Sequence, residues 1–309
     1  LNGDYAKDWE GIQFHYDLPA EFFRYFLDEG MNYTCAYFRH PEEPLDQAQQ
    51  NKLALICRKL QLKPGDHVLD IGCGWGNFAF YAAEQFGCRV TGITLSNAQV
   101  EFIRHKAQKT GLSSKVEAIP MHALEMSFPL GNFDKVVTIG AIEHIPHLKK
   151  MFAECANILK DEGLMLVHGM TKPWQLRQRA LDGEEDTSEE SRFLTENIFP
   201  VGEMISLTEL IGALEPNNFE VLDVHNITDH YTLTLQNWLE NLQKNEETIK
   251  DKGIVDISRL RAQMLFLAGC VESFQENRVL CYQALARKIR PDEVRVPLAL
   301  SRKNLDLAE

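Results

Sequence analysis

Between residues 45 and 171 the hydrophobic positions switch repeatedly between two periods, and that rhythm predicts the architecture. Residues 45–60 place Leu53, Ile56 and Leu60 on one helical face. A Lys63-Pro64-Gly65-Asp66 turn leads into a short apolar run, 67–71, which reads as a strand ending in glycines. Helices are predicted at 77–86, 98–109 and 148–159, the last stopped by Asp161-Glu162-Gly163, with strands at 88–93, 116–119, 135–139 and 164–168. Strands alternating with helices at this spacing predict an α/β fold, a doubly wound and mostly parallel sheet. After Thr171 the rhythm breaks. Residues 172–190 are polar and acidic, which predicts a solvated loop or a lid. A returning strand is expected at 221–224, then two long helices, about 232–250 and 257–287, and an irregular tail from 291 to 309. The pattern divides the chain into a helical cover (1–60), a ligand-binding core (61–170), an insertion (171–217) and C-terminal strands and helices (218–290) of a single domain.

Composition narrows the function. The 309 residues are 44% hydrophobic, enough for a sizeable core. No run of about 18 uncharged apolar residues appears, and the first nine residues lack the apolar stretch of a secretory signal. A net charge of -13 disfavours nucleic acid as a partner. One basic cluster, Arg287, Lys288, Arg290, Arg295, Arg302 and Lys303, leaves peripheral membrane or acyl-carrier contact open beside the plainer reading of a solvated helix end. Seven cysteines without a CxxC pair suit neither a disulfide framework nor a zinc site, so no metal is expected and a cytoplasmic setting is.

The strongest local signal is Val68-Leu69-Asp70-Ile71-Gly72-Cys73-Gly74-Trp75-Gly76. A glycine-rich turn at the C-terminal end of a buried strand is where a doubly wound sheet binds its ligand. The GxGxxG spacing of a dinucleotide site is absent, since Gly76 follows Gly74 after one residue. An acidic residue stands just ahead, the pattern of S-adenosylmethionine-dependent methyltransferases. Asp70, Gly72, Gly74 and Gly76 would then hold the methionine end, with a structural strand-end carboxylate as the plainer view of Asp70. After strand two, Thr94-Leu95-Ser96 with Gln99 faces the ribose, although Ser96 also suits a helix N-cap. After strand three, Met121 and His122 suit the adenine face and edge, or are loop filler.

Further segments, taken in order, resemble one branch of these enzymes. They include Met31-Asn32-Tyr33-Thr34-Cys35-Ala36-Tyr37-Phe38, Gly92-Ile93-Thr94-Leu95-Ser96, Ile139-Gly140-Ala141-Ile142-Glu143-His144, Leu166-Val167-His168, His230-Tyr231 with Trp238, and Gly269-Cys270. Their combination, from about His15 to Ala286, resembles the cyclopropane-fatty-acid synthase family, which includes the mycolic acid cyclopropane synthases. Departures are Ile145-Pro146 after Glu143-His144, Val201 within Ile198-Phe199-Pro200-Val201-Gly202, His122 where an acidic residue is usual, and the acidic run 183–190.

The resemblance implies a Rossmann-like class I methyltransferase fold, with Tyr33 and Thr34 added to the cofactor site. It implies transfer of a one-carbon unit to a cis double bond of an unsaturated acyl lipid or another alkene-bearing small molecule. It also implies bicarbonate as the base, held by Cys35 and Ile139 through backbone groups and by Glu143, His168 and Tyr231. Aromatic groups such as Tyr16, Tyr33, Phe199 and Trp238 would face a carbocation. Taken singly, Cys35 is equally a small buried hydrophobe, His168 a core histidine and Tyr231 packing. Cys270 reads as structural. A small-molecule C- or N-methyltransferase on the same scaffold is the alternative activity, and a homo-oligomer is compatible with either.

Overall fold

The computed structural model describes residues 19–183, 204–290 and 294. Tyr16, Phe199, residues 184–190 of the acidic run, the 198–202 motif, and Arg295, Arg302 and Lys303 lie outside them. Seven strands form one sheet in the order β3-β2-β1-β4-β5-β7-β6. They are β1 (His67–Ile71), β2 (Arg89–Thr94), β3 (Val116–Pro120), β4 (Phe133–Ile139), β5 (Leu159–Thr171), β6 (Phe219–Asn226) and β7 (Leu280–Lys288). The first five pair in parallel, as the alternating pattern predicts. β7 runs antiparallel to both β5 and β6.

The helices are α1 (Ala20–Phe23), α2 (Leu45–Lys59), α3 (Asn77–Gln85), α4 (Asn97–Thr110), α5 (Leu148–Ile158), α6 (Trp174–Leu181), α7 (Leu207–Leu214), α8 (Thr228–Lys244), α9 (Glu246–Lys252) and α10 (Ile257–Gln275). One apolar cluster joins α2, α3 and α4 to one sheet face, and another joins α5 and α7 to the opposite face. β2 and β3 lie on one side of β1 and β4 on the other. The crevice at the C-terminal ends of β1 and β4 is therefore the topological switch point, where this fold class takes ligands.

Three expectations need correction. The helix expected over 257–287 ends at Gln275, and Leu280–Lys288 is a strand. Its alanines and leucine favour a helix locally, but the slot between β5 and β6 buries the segment and supplies both ladders. Asn277 breaks the helix at φ 56°. The helix expected over 232–250 is two helices meeting at Asn245, whose side chain donates to the carbonyl of Tyr25 at 2.8 Å. Finally, the described part of the N-terminal cover, residues 19–44, is helical only at Ala20–Phe23. The Asp28 carboxylate accepts the backbone N–H groups of Gly30 and Asn32 at 3.0 and 2.8 Å, local bonds that compete with a helix.

That segment covers the crevice nonetheless. Phe22, Phe23 and Phe26 are buried with Leu235, Trp238, Leu267 and Phe274 of α8 and α10 in a third cluster. Each buried phenylalanine contributes roughly 1.5–3 kcal/mol. Their packing delivers Tyr33, Thr34 and Cys35 to the switch point. Among the described residues no helix is long and apolar enough to cross a membrane.

Candidate active site

Two adjoining hollows open at the switch point and share Gly72, Gly74, Gln99 and Gly140. Gly72, Gly74 and Gly76 all have positive φ, at 75°, 53° and 79°. A Cβ at Gly72 would lie 2.5 Å from that of Ala141, whereas one at Gly74 would meet no protein atom within 4 Å. The second position is a cradle that a side chain would fill. These features fit a nucleoside-bearing ligand lying along the strand ends.

The first hollow takes in Thr94, Leu95, Gln99, Met121 and His122, and the second Tyr33, Thr34 and Asp70. Gly76 lines neither; it opens α3 as its N-cap. Ser96 caps α4, accepting the Gln99 backbone N–H at 3.3 Å. The Thr94 hydroxyl donates to the Gln99 side-chain oxygen at 2.6 Å, which sets the amide at the junction of the two hollows. His122 Nδ1 accepts the Leu124 N–H at 3.0 Å, so its neutral ring carries the proton on Nε2.

Beneath the second hollow lies a buried cation for which the sequence analysis assigned no role. Lys52, on α2, is 1% exposed. Its Nζ donates to Thr34 Oγ1 at 2.8 Å and Asn32 Oδ1 at 3.3 Å. Burial lowers it to about 8, opposed by the charges of Asp28 and Asp70. Burial raises Asp70 to about 7, opposed by Lys52. A lysine on the same face as Leu53 and Ile56, where only apolar residues are expected, was the available signal.

Lys52→Met is expected to destabilise the fold by about 3–5 kcal/mol near pH 8, because it strands buried carboxylates. Asp70's folded value lies above its unfolded 3.8, so its burial costs stability as pH rises between the two. Without Lys52 that window extends upward. The loss in unfolding midpoint should therefore grow from about pH 6 to about pH 8; a pH-independent loss in thermal scans would reject this coupling.

The second constellation lies past the end of β4. Glu143, on a short turn at Ile142–His144, is buried, and its Oε1 accepts the Met170 backbone N–H. Its Oε2 is buried without a hydrogen-bond partner. Burial holds the carboxyl up at about 7. His168 on β5 pairs in register with Ile139 and is 1% exposed. Burial, with Lys52 and Lys59 nearby, keeps its imidazole well below the usual range, hence neutral. Its Nδ1 lies 3.3 Å from the Gln283 amide nitrogen.

Tyr231 is buried against Phe274 at 4.7 Å, close enough to Glu143, Cys35 and Tyr33 to feel their charges. Cys281 of β7 joins this group, 3.8 Å from His168 Nε2. The sequence analysis missed Cys281 and Gln283 because it placed them on a helix. Cys270 is half-buried on α10, and burial pushes its thiol up to about 12. The arrangement brings a raised carboxyl, a neutral imidazole, a phenol and thiols to one buried place beside the hollows. It can bind a small anion and hold or release a proton.

Known proteins resemble the chain over nearly its whole length. The family model for mycolic acid cyclopropane synthetase matches residues 4–284. A probable fatty acid methyltransferase from Pseudomonas putida is 36% identical over 92% of this chain and 71% of its own length. Cyclopropane mycolic acid synthase 1 from Mycobacterium tuberculosis is 34% identical over 85% of this chain and 92% of its own length. The chain spans only 55% to 64% of some longer relatives. The crystal structure of mycolic acid cyclopropane synthase CmaA1 with SAH and CTAB superposes with a TM-score of 0.82 at 30% identity, covering 91% of this chain and 98% of the other.

Proposed function

Because the chain belongs to the mycolic acid cyclopropane synthetase family of S-adenosylmethionine-dependent methyltransferases, we propose that it transfers a one-carbon unit to a cis double bond of an unsaturated acyl chain, with bicarbonate as the base. The observation that carries this proposal is Glu143: a buried carboxyl, raised to about 7, with one oxygen tied and the other lacking a partner.

Bound S-adenosylmethionine supplies an electrophilic methyl, and bound bicarbonate supplies a proton acceptor small enough to reach the acceptor carbon. Asp70, Gly72 and Gly74, with Tyr33 and Thr34, would hold the methionine end of the cofactor, whereas Gly76 lines neither hollow and serves as the N-cap of α3. Thr94, Leu95 and Gln99 would hold the ribose, and Met121 and His122 the adenine, while Ser96 is the N-cap of α4 and lines neither hollow. Neutral His168, with the Gln283 amide N–H donating to Nδ1, keeps its proton on Nε2 and would offer that N–H as a hydrogen bond to the anion. Tyr231 adds a second donor, and Cys35 and Ile139 add backbone groups. Glu143, with Oε2 unpartnered, would accept the anion's hydroxyl proton and so strengthen it as a base. Tyr33, which lines the second hollow and is backed by Trp238 with rings 5.1 Å apart, would offer an aromatic face to a developing cation. The fatty-acid and mycolic-acid relatives support an acyl lipid as acceptor.

Incubation with trideuteriomethyl-labelled cofactor and vesicles of a cis-unsaturated phospholipid tests this by mass spectrometry of the lipid. Two retained deuteriums mean ring closure or methylene transfer, and three mean simple methylation. Label appearing only on polar metabolites from an added extract would refute the lipid acceptor.

A further inference from the structure

Cys281 brings a third soft donor to two side chains already described. The ligand atoms of Cys35, His168 and Cys281 lie within 4.8 Å of one another. They come from the N-terminal segment, β5 and β7, and all three are buried. We propose that Cys35, His168 and Cys281 form a binding site for a thiophilic divalent cation of the zinc or cadmium type.

The donor set is chemically selective. Two thiolates and an imidazole suit zinc-like ions, and three protein ligands leave a fourth coordination position. Zinc-to-sulfur and zinc-to-nitrogen bonds of about 2.3 and 2.0 Å in a tetrahedron set the ligand atoms roughly 3.5–3.8 Å apart. Cys281 Sγ and His168 Nε2 already stand at 3.8 Å. Burial keeps the Cys281 thiol protonated in the free protein. Each sulfur loses its proton to solvent as its bond to the metal forms, and two thiolates cancel the dication's charge in a site that could not tolerate it alone.

Gln283 supplies the support that a ligating histidine requires. Its Oε1 is buried without a hydrogen-bond partner, while its Nε2 faces His168 Nδ1 at 3.3 Å. Rotating the amide by half a turn brings Gln283 Oε1 to an N–H on His168 Nδ1, the tautomer that leaves a lone pair on His168 Nε2, which already faces Cys281. One imidazole thus offers an N–H to an anion in one amide setting and a lone pair to a cation in the other. The metal site stands on its three donors; only the consequence, that the ion inhibits by taking His168 Nε2 from the anion, rests on the bicarbonate proposal.

The test is titration of the reduced full chain with Cd²⁺ alone, read by the ultraviolet thiolate-to-metal charge-transfer band, with far-UV circular dichroism as the folding control. One equivalent is expected to bind. Cys281→Ser should lose the band, Cys57→Ser and Cys270→Ser should keep it, and Gln283→Ala should weaken binding about ten- to hundredfold. If Cys281→Ser fails to fold, Cys35→Ser gives the same reading. No band in the parent, or an undiminished band in a folded Cys281→Ser, overturns the site. Tight binding of Cd²⁺ at these residues with unaltered turnover would uphold the metal site and count against the bicarbonate proposal.

Discussion

Glu143→Gln is expected to lower turnover by about a hundred- to ten-thousandfold, the range a positioned acid–base group contributes, with cofactor affinity almost unchanged. The substitution is nearly isosteric, and the glutamine carbonyl oxygen can still accept the Met170 N–H that ties Glu143 Oε1. What changes is the second atom, which becomes an N–H donor where Oε2 has no partner. A group that must accept the anion's proton then presents one of its own. The parent should also lose activity as pH falls through about 7, where the Glu143 carboxyl becomes protonated. The glutamine variant should lack that limb. Turnover at the parent rate, or indifference to depletion and return of bicarbonate, would reject the bicarbonate mechanism and leave a plain methyltransferase on this scaffold.

Gly74→Val is expected to weaken S-adenosylmethionine binding by roughly a hundredfold or more, equivalent to about 3 kcal/mol of overpacking. The new side chain would enter space where a Cβ meets no protein atom within 4 Å, so its clash falls on the ligand rather than on the fold. At φ 53° the residue also pays about 1–2 kcal/mol of left-handed strain, which a domain of ordinary stability survives. Calorimetry showing parental affinity in a folded variant would refute the placement of the cofactor over Gly74. Together the two variants separate the sites, since one should lose chemistry and keep binding while the other loses binding first.

The parallel core was legible from residue order because its signals are local. Buried strands read as short apolar runs, as in Val68-Leu69, amphipathic helices repeat near 3.6 residues, and the glycine turn after β1 declares a close backbone approach. The motif residues Asp70, Thr94, Gln99 and His122 could be named for the same reason, each lying at or soon after the C-terminal end of a recognisable strand. The sequence analysis failed where local preference and tertiary demand disagree. Ala284, Leu285 and Ala286 favour a helix, yet β7 forms there because the edges of β5 and β6 need a partner.

By itself, then, the chain determined the doubly wound sheet, the glycine turn at its switch point and an ordered set of polar residues at segment ends. Only the tertiary structure decided which of those residues meet. Lys52 lies under Thr34 and near Asp70 because α2 packs beneath the N-terminal segment. Cys35, Glu143, His168, Tyr231 and Cys281 share one buried place because β7 inserts beside β5 and α8 folds over the crevice. The physical reason is range. Period and turn chemistry act over a few residues, whereas the charge state of Glu143 and the company of Cys281 are set by burial, which depends on segments more than a hundred positions apart.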